Sequence, residues 1–227
     1  FELDTANVDG LTGGISITNS TGAGSVDIDT TKGAVTTGAA GIGINAAAGT
    51  GASKVVTADV TGGIGGVGLS GAGAVQIDTT AGTVITTSGA GVNAQSTGAG
   101  LVDVDVKTVT NTTGNSVTGN STGGGNVDVK NTGVVSTGGG GYGIGAFSSG
   151  GNGTVNVDSD ADVTGATFGI TASTVGTGSL TVNTTGATLV KATGGTGISV
   201  GTSTGNIDID TTAVTGTGGA GIVATSS

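Results

Sequence analysis

The sequence predicts an all-β fold: a right-handed parallel β-helix (β-solenoid) of about nine coils, each holding three short strands. Three observations predict it. Gly24 to Gly51, GSVDIDTTKGAVTTGAAGIGINAAAGTG, returns as Gly73 to Gly100, GAVQIDTTAGTVITTSGAGVNAQSTGAG, and in looser copies to the last residue. Each copy holds three short apolar runs, such as Val26-Ile28, Val35 and Ile42-Ile44, bounded by Gly and Thr. Such runs, short and rich in β-branched residues, are the mark of strands. Finally, no window keeps a 3.6-residue period, and each Gly in a helix interior would cost roughly 1 kcal/mol against Ala. A lone copy cannot bury its apolar runs, whereas copies stacked as rungs cover one another.

The first strand of each coil reads apolar-polar-apolar-polar. Its first apolar residue falls at Leu3, Val26, Val56, Val75, Val102, Val127, Val155, Leu180 and Ile207, with steps of 23, 30, 19, 27, 25, 28, 25 and 27 residues. The mean step is about 25.5. The uneven pair of steps surrounds KVVTADV, residues 54–60, where the register reads one or two residues either way. The expected core of this strand is Val26, Ile28, Val75, Ile77, Val102, Val104, Val127, Val129, Val155, Val157, Ile207 and Ile209. The second strand follows a Thr/Gly corner and centres on Val35, Val60, Val84, Val109, Val134, Val163, Leu189 and Val214. The third opens at a Gly and carries Ile15-Ile17, Ile42-Ile44, Ile64 to Leu69, Val92, Val117, Ile144, Ile170, Ile198-Val200 and Ile222. Ala and Gly beside these Ile residues predict a thin side to the coil. A left-handed solenoid repeats in multiples of six with a shorter coil, which favours the right-handed form.

The even spread of repeats over all 227 residues predicts one solenoid body, residues 1–227, rather than two domains. Fifty-two Gly without a three-residue period, and without Pro, exclude collagen. A mean hydropathy of +0.28 with regularly returning Val and Ile argues against disorder. Five Lys against fifteen acidic residues give a net charge of −10. That disfavours nucleic acid and anionic lipid, which need basic patches. No run reaches the length of a membrane-spanning helix. The lack of any Met suggests a processed piece of a longer chain. Both ends read as strands without caps, so the expectation is either continuation into further coils or end-to-end stacking of copies.

The outward positions of the first strand are unusually acidic: Glu2/Asp4, Asp27/Asp29, Asp59, Gln76/Asp78, Asp103/Asp105, Asp128/Lys130, Asn156/Asp158, Thr181/Asn183 and Asp208/Asp210. Stacked coils would align them in two columns about 4.8 Å apart along the axis, where like charges repel by about 0.9 kcal/mol even at the dielectric of water. One reading is a solvated face that keeps the rod soluble. The other is a ladder for Ca²⁺, which takes oxygen ligands, with Asp27, Asp29, Asp103, Asp105, Asp158 and Asp160 as candidate ligands. No other cofactor is expected. The Thr pairs Thr30-Thr31, Thr36-Thr37, Thr79-Thr80, Thr86-Thr87, Thr184-Thr185 and Thr211-Thr212 fall mostly at corners, so turn chemistry is favoured over an ice-ordering array. Tyr142, Phe147 and Phe168 fall in the third strands of neighbouring coils and are expected to stack in the core, with a small sugar-binding platform as the alternative.

Catalysis finds little support. His, Cys and Arg are absent, corners are short, and GGGGYGIG (residues 138–145) lacks the Lys and following helix of a phosphate loop. The repeat G-x-V-x-V/I-D/N-x-x-x-G-x-V-x-T-x-G-x-x-A-x-G-I, seen at Gly24 to Ile44, Gly73 to Val92 and Asn206 to Ile222, resembles the passenger regions of bacterial autotransporters and related two-partner-secreted surface proteins. The resemblance is a style of repeat covering nearly the whole chain. It implies a right-handed β-helix exported through an outer-membrane barrel, located at the cell surface, with roles in adhesion, aggregation or coating. The expected function is therefore a non-enzymatic extracellular stalk or adhesin segment, with a self-assembling filament subunit as the alternative and an ice- or glycan-binding solenoid behind it. The expected partners are other copies of the chain and a host or bacterial surface.

Overall fold

The computed structural model describes residues 1–19 and 22–227. It is a parallel β-solenoid of about nine turns, 58% strand, with the three-strand coil of a right-handed β-helix. The first face is built by Glu2–Asp4, Asp27–Thr30, Ser53–Thr57, the first half of Val75–Thr86, the first half of Val102–Asn111, Val127–Asn131, Val155–Ser159, Leu180–Thr184 and Ile207–Thr211. The second face follows a corner later, from Val8–Gly10 and Val35–Thr37 to Val190–Ala192 and Val214–Gly216. In two coils the first corner flattens, so that Val75–Thr86 and Val102–Asn111 each run through both faces and join them into one 16-stranded sheet. The third face is a separate nine-stranded sheet, from Ile15–Asn19 through Gly65–Gly71 and Tyr142–Ser148 to Ile222–Ser226. Every pairing is parallel, one rung to the next. Nine rungs make a rod of roughly 40 Å at the usual strand spacing.

The core is what the alternation predicts. Val26, Ile28, Val75, Ile77, Val102, Val104, Val127, Val129, Val155 and Val157 are all buried, while Ile207 and Ile209 of the last coil are partly buried against them. Across the rod they meet Ile15, Ile44, Val67, Val92, Val117, Ile144, Ile170 and Ile198, which form one unbroken inward ladder on the third face. The next inward ladder runs Ile17, Ala46, Leu69, Ala94, Gly119, Ala146, Ala172 and Val200 in register and is small at five of its eight places. That is the predicted thin side. Identical β-branched residues stacked in register bury both flanks of each side chain, which a single coil cannot do.

Polar side chains complete the interior. A buried ladder of Thr30, Thr57, Thr79, Asn131, Ser159 and Thr184, interrupted once by Val106, closes the first face. Thr30 donates its hydroxyl to Thr57 Oγ1 at 2.6 Å, and Thr184 to Thr211 Oγ1 at 2.7 Å. A second ladder, Ser96, Ser121, Ser148, Thr174 and Thr202, closes the third face and bonds to corner backbone, as in Ser148 Oγ to Gly125 O at 2.9 Å. Hydroxyls at these bends satisfy carbonyls that the ladder hydrogen bonds cannot reach.

The register corrects several expectations. Leu3 pairs with Ile28, not Val26. In KVVTADV, Val55 is inward and Val56 outward, with Ser53 taking the inward position that Val26 and Val75 hold in the neighbouring coils. Asp59 therefore leaves the first-face columns and sits at the corner before Val60. On the second face Val135 and Val190 are the buried residues; Val134 is 48% exposed and Leu189 only partly buried. The slip at Leu3 is by two residues and keeps its face, whereas the others fall where two apolar residues adjoin, so a period of two cannot decide between them and a one-residue shift exchanges inside for outside.

Candidate functional site

The outward side of the first face carries the chain's densest charge. One column runs Glu2, Asp27, Lys54, Gln76, Asp103, Asp128, Asn156, Thr181, Asp208; its neighbour runs Asp4, Asp29, Val56, Asp78, Asp105, Lys130, Asp158, Asn183, Asp210. Amides are interleaved so that they donate to the next carboxylate. Gln76 Nε2 donates to Asp103 Oδ2 at 3.0 Å, Asn156 Nδ2 to Asp128 Oδ1 at 3.0 Å, and Asn183 Nδ2 to Asp158 Oδ1 at 3.1 Å. Lys130 lies 3.9 Å from Asp158, and Lys32 reaches back one coil to pair with Asp4.

Like charges still meet along the columns. Asp103 neighbours Asp128, and Asp105 neighbours Asp78. Burial first, then these carboxylates, raise both pKa values above the usual carboxylate range. Asp29 is shifted the other way, because the Thr31 hydroxyl and backbone N–H both donate to its Oδ1, at 2.7 and 2.8 Å. Asp78 with Thr80 and Asn183 with Thr185 repeat this turn.

The candidate cation ligands are thus placed as follows. Asp27 lies between Glu2 and Lys54, Asp29 between Asp4 and Val56, Asp103 between Gln76 and Asp128, Asp105 between Asp78 and Lys130, and Asp158 between Lys130 and Asn183. Asp160 lies past the end of its strand at an exposed corner. The VDSDADV run therefore diverges: Asp158 faces out from the first face, while Asp162 crosses to the next coil. There its Oδ1 accepts from Thr188 N at 2.9 Å, Thr188 Oγ1 at 2.6 Å and Leu189 N at 2.8 Å. These donors hold its carboxyl below the usual range, the Thr188 hydroxyl foremost. Among the described residues no group of three or more carboxylates is arranged to hold a metal ion.

Asx side chains at corners form a device that sequence reading missed. Asn7 accepts from Ala34 N at 2.9 Å, Asp59 from Thr83 N at 2.9 Å, Asn126 from Thr154 N at 3.0 Å and Asn152 from Thr177 N at 3.0 Å. Each ties a corner to the coil that follows. Single Asn or Asp residues at irregular spacing give this role no sequence signature. The Thr pairs do not make a flat array either: Thr30, Thr37, Thr79, Thr86 and Thr184 turn inward while their partners turn out.

A groove of about 350 Å³ runs along the axis beside the acidic columns, between Ser25, Ala52, Ala74 and Leu101 on one side and Asp27, Lys54, Gln76 and Asp103 on the other. Its apolar wall exists because two coils carry Ala at the corner where a third carries the 44% exposed Leu101.

The aromatic residues overturn the expectation of a core stack. Tyr142 and Phe168 pair across neighbouring coils, and both, like Phe147, are only half-buried on the outside of the third face. The inward positions of that strand are taken by Ile144, Ala146 and Ser148. The Tyr142 ring lies over Gly145, where a Cβ would come within 2.3 Å of Cε2. It meets the Phe147 ring edge-to-face at 5.9 Å between centroids, and its hydroxyl is 3.1 Å from Thr118 Oγ1. Burial raises the pKa of the Tyr142 hydroxyl.

No protein-family model, curated protein or solved structure matches this chain.

Proposed function

We propose that the chain is a non-enzymatic structural rod, a stalk or adhesin segment of a bacterial surface protein that works outside the cell. The chief support is the unbroken register of the third-face ladder from Ile15 to Ile222, which makes every coil interchangeable with its neighbours and makes length the quantity the fold controls. The interleaved acidic columns suit a surface that stays solvated and does not adhere sideways. The likeness of the repeat to autotransporter passengers agrees with this reading. Antibodies raised against residues 1–227 should label intact cells of the source organism, and deleting the coils should reduce adhesion or autoaggregation. Labelling only after lysis would overturn the proposal.

A further inference from the structure

The outer side of the third face differs from the rest of the rod. Its strands carry no Asp, Glu or Lys in any coil, although the chain as a whole has a net charge of −10. Besides the aromatic residues, the outward positions in this sheet are mostly amides, hydroxyls and small residues, with Ile42 and Val223 as aliphatic exceptions. Three of the chain's four aromatic residues converge here, within two adjacent coils. The rings are held rather than loose. Tyr142 is laid on Gly145, braced edge-on by Phe147 and tethered at its hydroxyl to Thr118. Asn120 and Ser173 flank Phe147 in register, one coil to each side.

We propose that Tyr142, Phe147 and Phe168, with Asn120, Thr171 and Ser173 around them, form a platform for an uncharged oligosaccharide lying along the rod. The occupant follows from the chemistry of the face. Fixed, half-buried rings offer apolar surface at little entropic cost, and the amides and hydroxyls about them offer donors and acceptors at the ring edges. Sugar rings present that same alternation of C–H faces and hydroxyls. An anionic glycan gains nothing on a face without cations and is repelled by the net charge of −10. A protein partner of ordinary interface size, about 800 Å² per side, would need more apolar surface than three half-buried rings provide. The proposal does not rest on the surface-rod reading and stands or falls separately.

The register supplies variants that keep the fold. Phe147→Ser and Phe168→Thr put at each position a residue type that the same column already holds, Ser173 and Thr196. Tyr142 is the sole tyrosine and there is no tryptophan, so its emission reports on this patch alone. The test titrates cellohexaose, laminarihexaose and maltohexaose into the 1–227 chain, with hexagalacturonate as the charged control, and follows tyrosine fluorescence. The expected result is saturable change with at least one neutral hexaose and none with the galacturonate. The double variant, followed by calorimetry, should bind at least tenfold more weakly while melting at an unchanged temperature. The proposal is overturned if none of the three neutral hexaoses binds, if the charged one binds as well, or if the folded double variant binds undiminished. Sedimentation showing that the patch is covered by a second copy would overturn it too.

Discussion

Gly43, where the third strand of one coil begins, lies directly against Val60 on the second face of the next: a Cβ on the glycine would come within 2.4 Å of Val60 Cγ1. The contact recurs as Gly14 with Val35, Gly66 with Val84, Gly91 with Val109, Gly143 with Val163, Gly169 with Val190 and Gly197 with Val214. None of these glycines has positive φ, so the requirement is for space and not for backbone conformation. One coil departs from it, with buried Ser116, whose hydroxyl escapes by donating to Ser136 O at 2.7 Å.

Gly43→Ala should therefore destabilise the rod by about 1–3 kcal/mol, the usual cost of overpacking. Gly13→Ala, where a Cβ meets nothing within 4 Å, should change stability by less than about 0.5 kcal/mol. Urea melts of the two variants check the contrast. Equal effects would mean that the contact with Val60 is not what excludes a side chain.

The buried hydroxyl ladder makes an opposite pair of predictions. Thr79 faces Val106 in the next coil, and its hydroxyl has no hydrogen-bond partner. Thr79→Val should raise stability by about 1 kcal/mol, because it removes a buried group that gains nothing. Thr30→Val takes away the donor to Thr57 and should lower stability by about 1–3 kcal/mol. Thermal melts should move in opposite directions for these chemically identical substitutions.

Stability should pass through a maximum in mild acid. Asp103 and Asp105 have raised pKa values in the folded rod, so the folded state takes up their protons before the unfolded chain does. Stability then rises as pH falls through the raised range toward 3.8, the ordinary value. Asp29 and Asp162 are lowered; the stability they contribute is full above 3.8 and is lost as pH falls further. Asp103→Asn should raise the melting temperature at pH 7, a gain of less than about 1 kcal/mol in stability for a group still partly open to solvent, and should flatten the acid-side rise. A wild-type melting temperature that falls steadily from pH 7 downward contradicts this.

Asp162→Ala should cost about 1–3 kcal/mol, since Thr188 N, Thr188 Oγ1 and Leu189 N all donate to one carboxylate oxygen. Asp160→Ala, at an exposed corner two residues away, should cost less than about 0.5 kcal/mol. Denaturant melts of the pair check whether the acidic run acts as a cluster or through its one cross-coil clamp.

Much of this was legible in the sequence because side-chain alternation and stacking act on the same residues. The third-face ladder reads directly, since a Gly precedes most of its Ile and Val residues and leaves only one register. The acidic columns read for the same reason, apart from Asp59. Reading failed at Val55-Val56, Val134-Val135 and Leu189-Val190, where neighbouring apolar residues compete for one inward place. It failed too for Tyr142 and Phe147. Large aromatic residues are ordinarily buried, but the inward places of this strand go to Ile144, Ala146 and Ser148, which leaves the rings outside. The Asx corner ties were invisible because their partners belong to the next coil.

Deleting one coil tests the stacked architecture most directly. Val102 and Val127 are register partners, so removing residues 102–126 joins Leu101 to Val127 in phase with the coils on either side. The account predicts a folded, strand-rich protein whose length by small-angle scattering shrinks by about 4.8 Å, one strand spacing. A deletion variant that loses its β-sheet circular dichroism, or that keeps the original length, would contradict it.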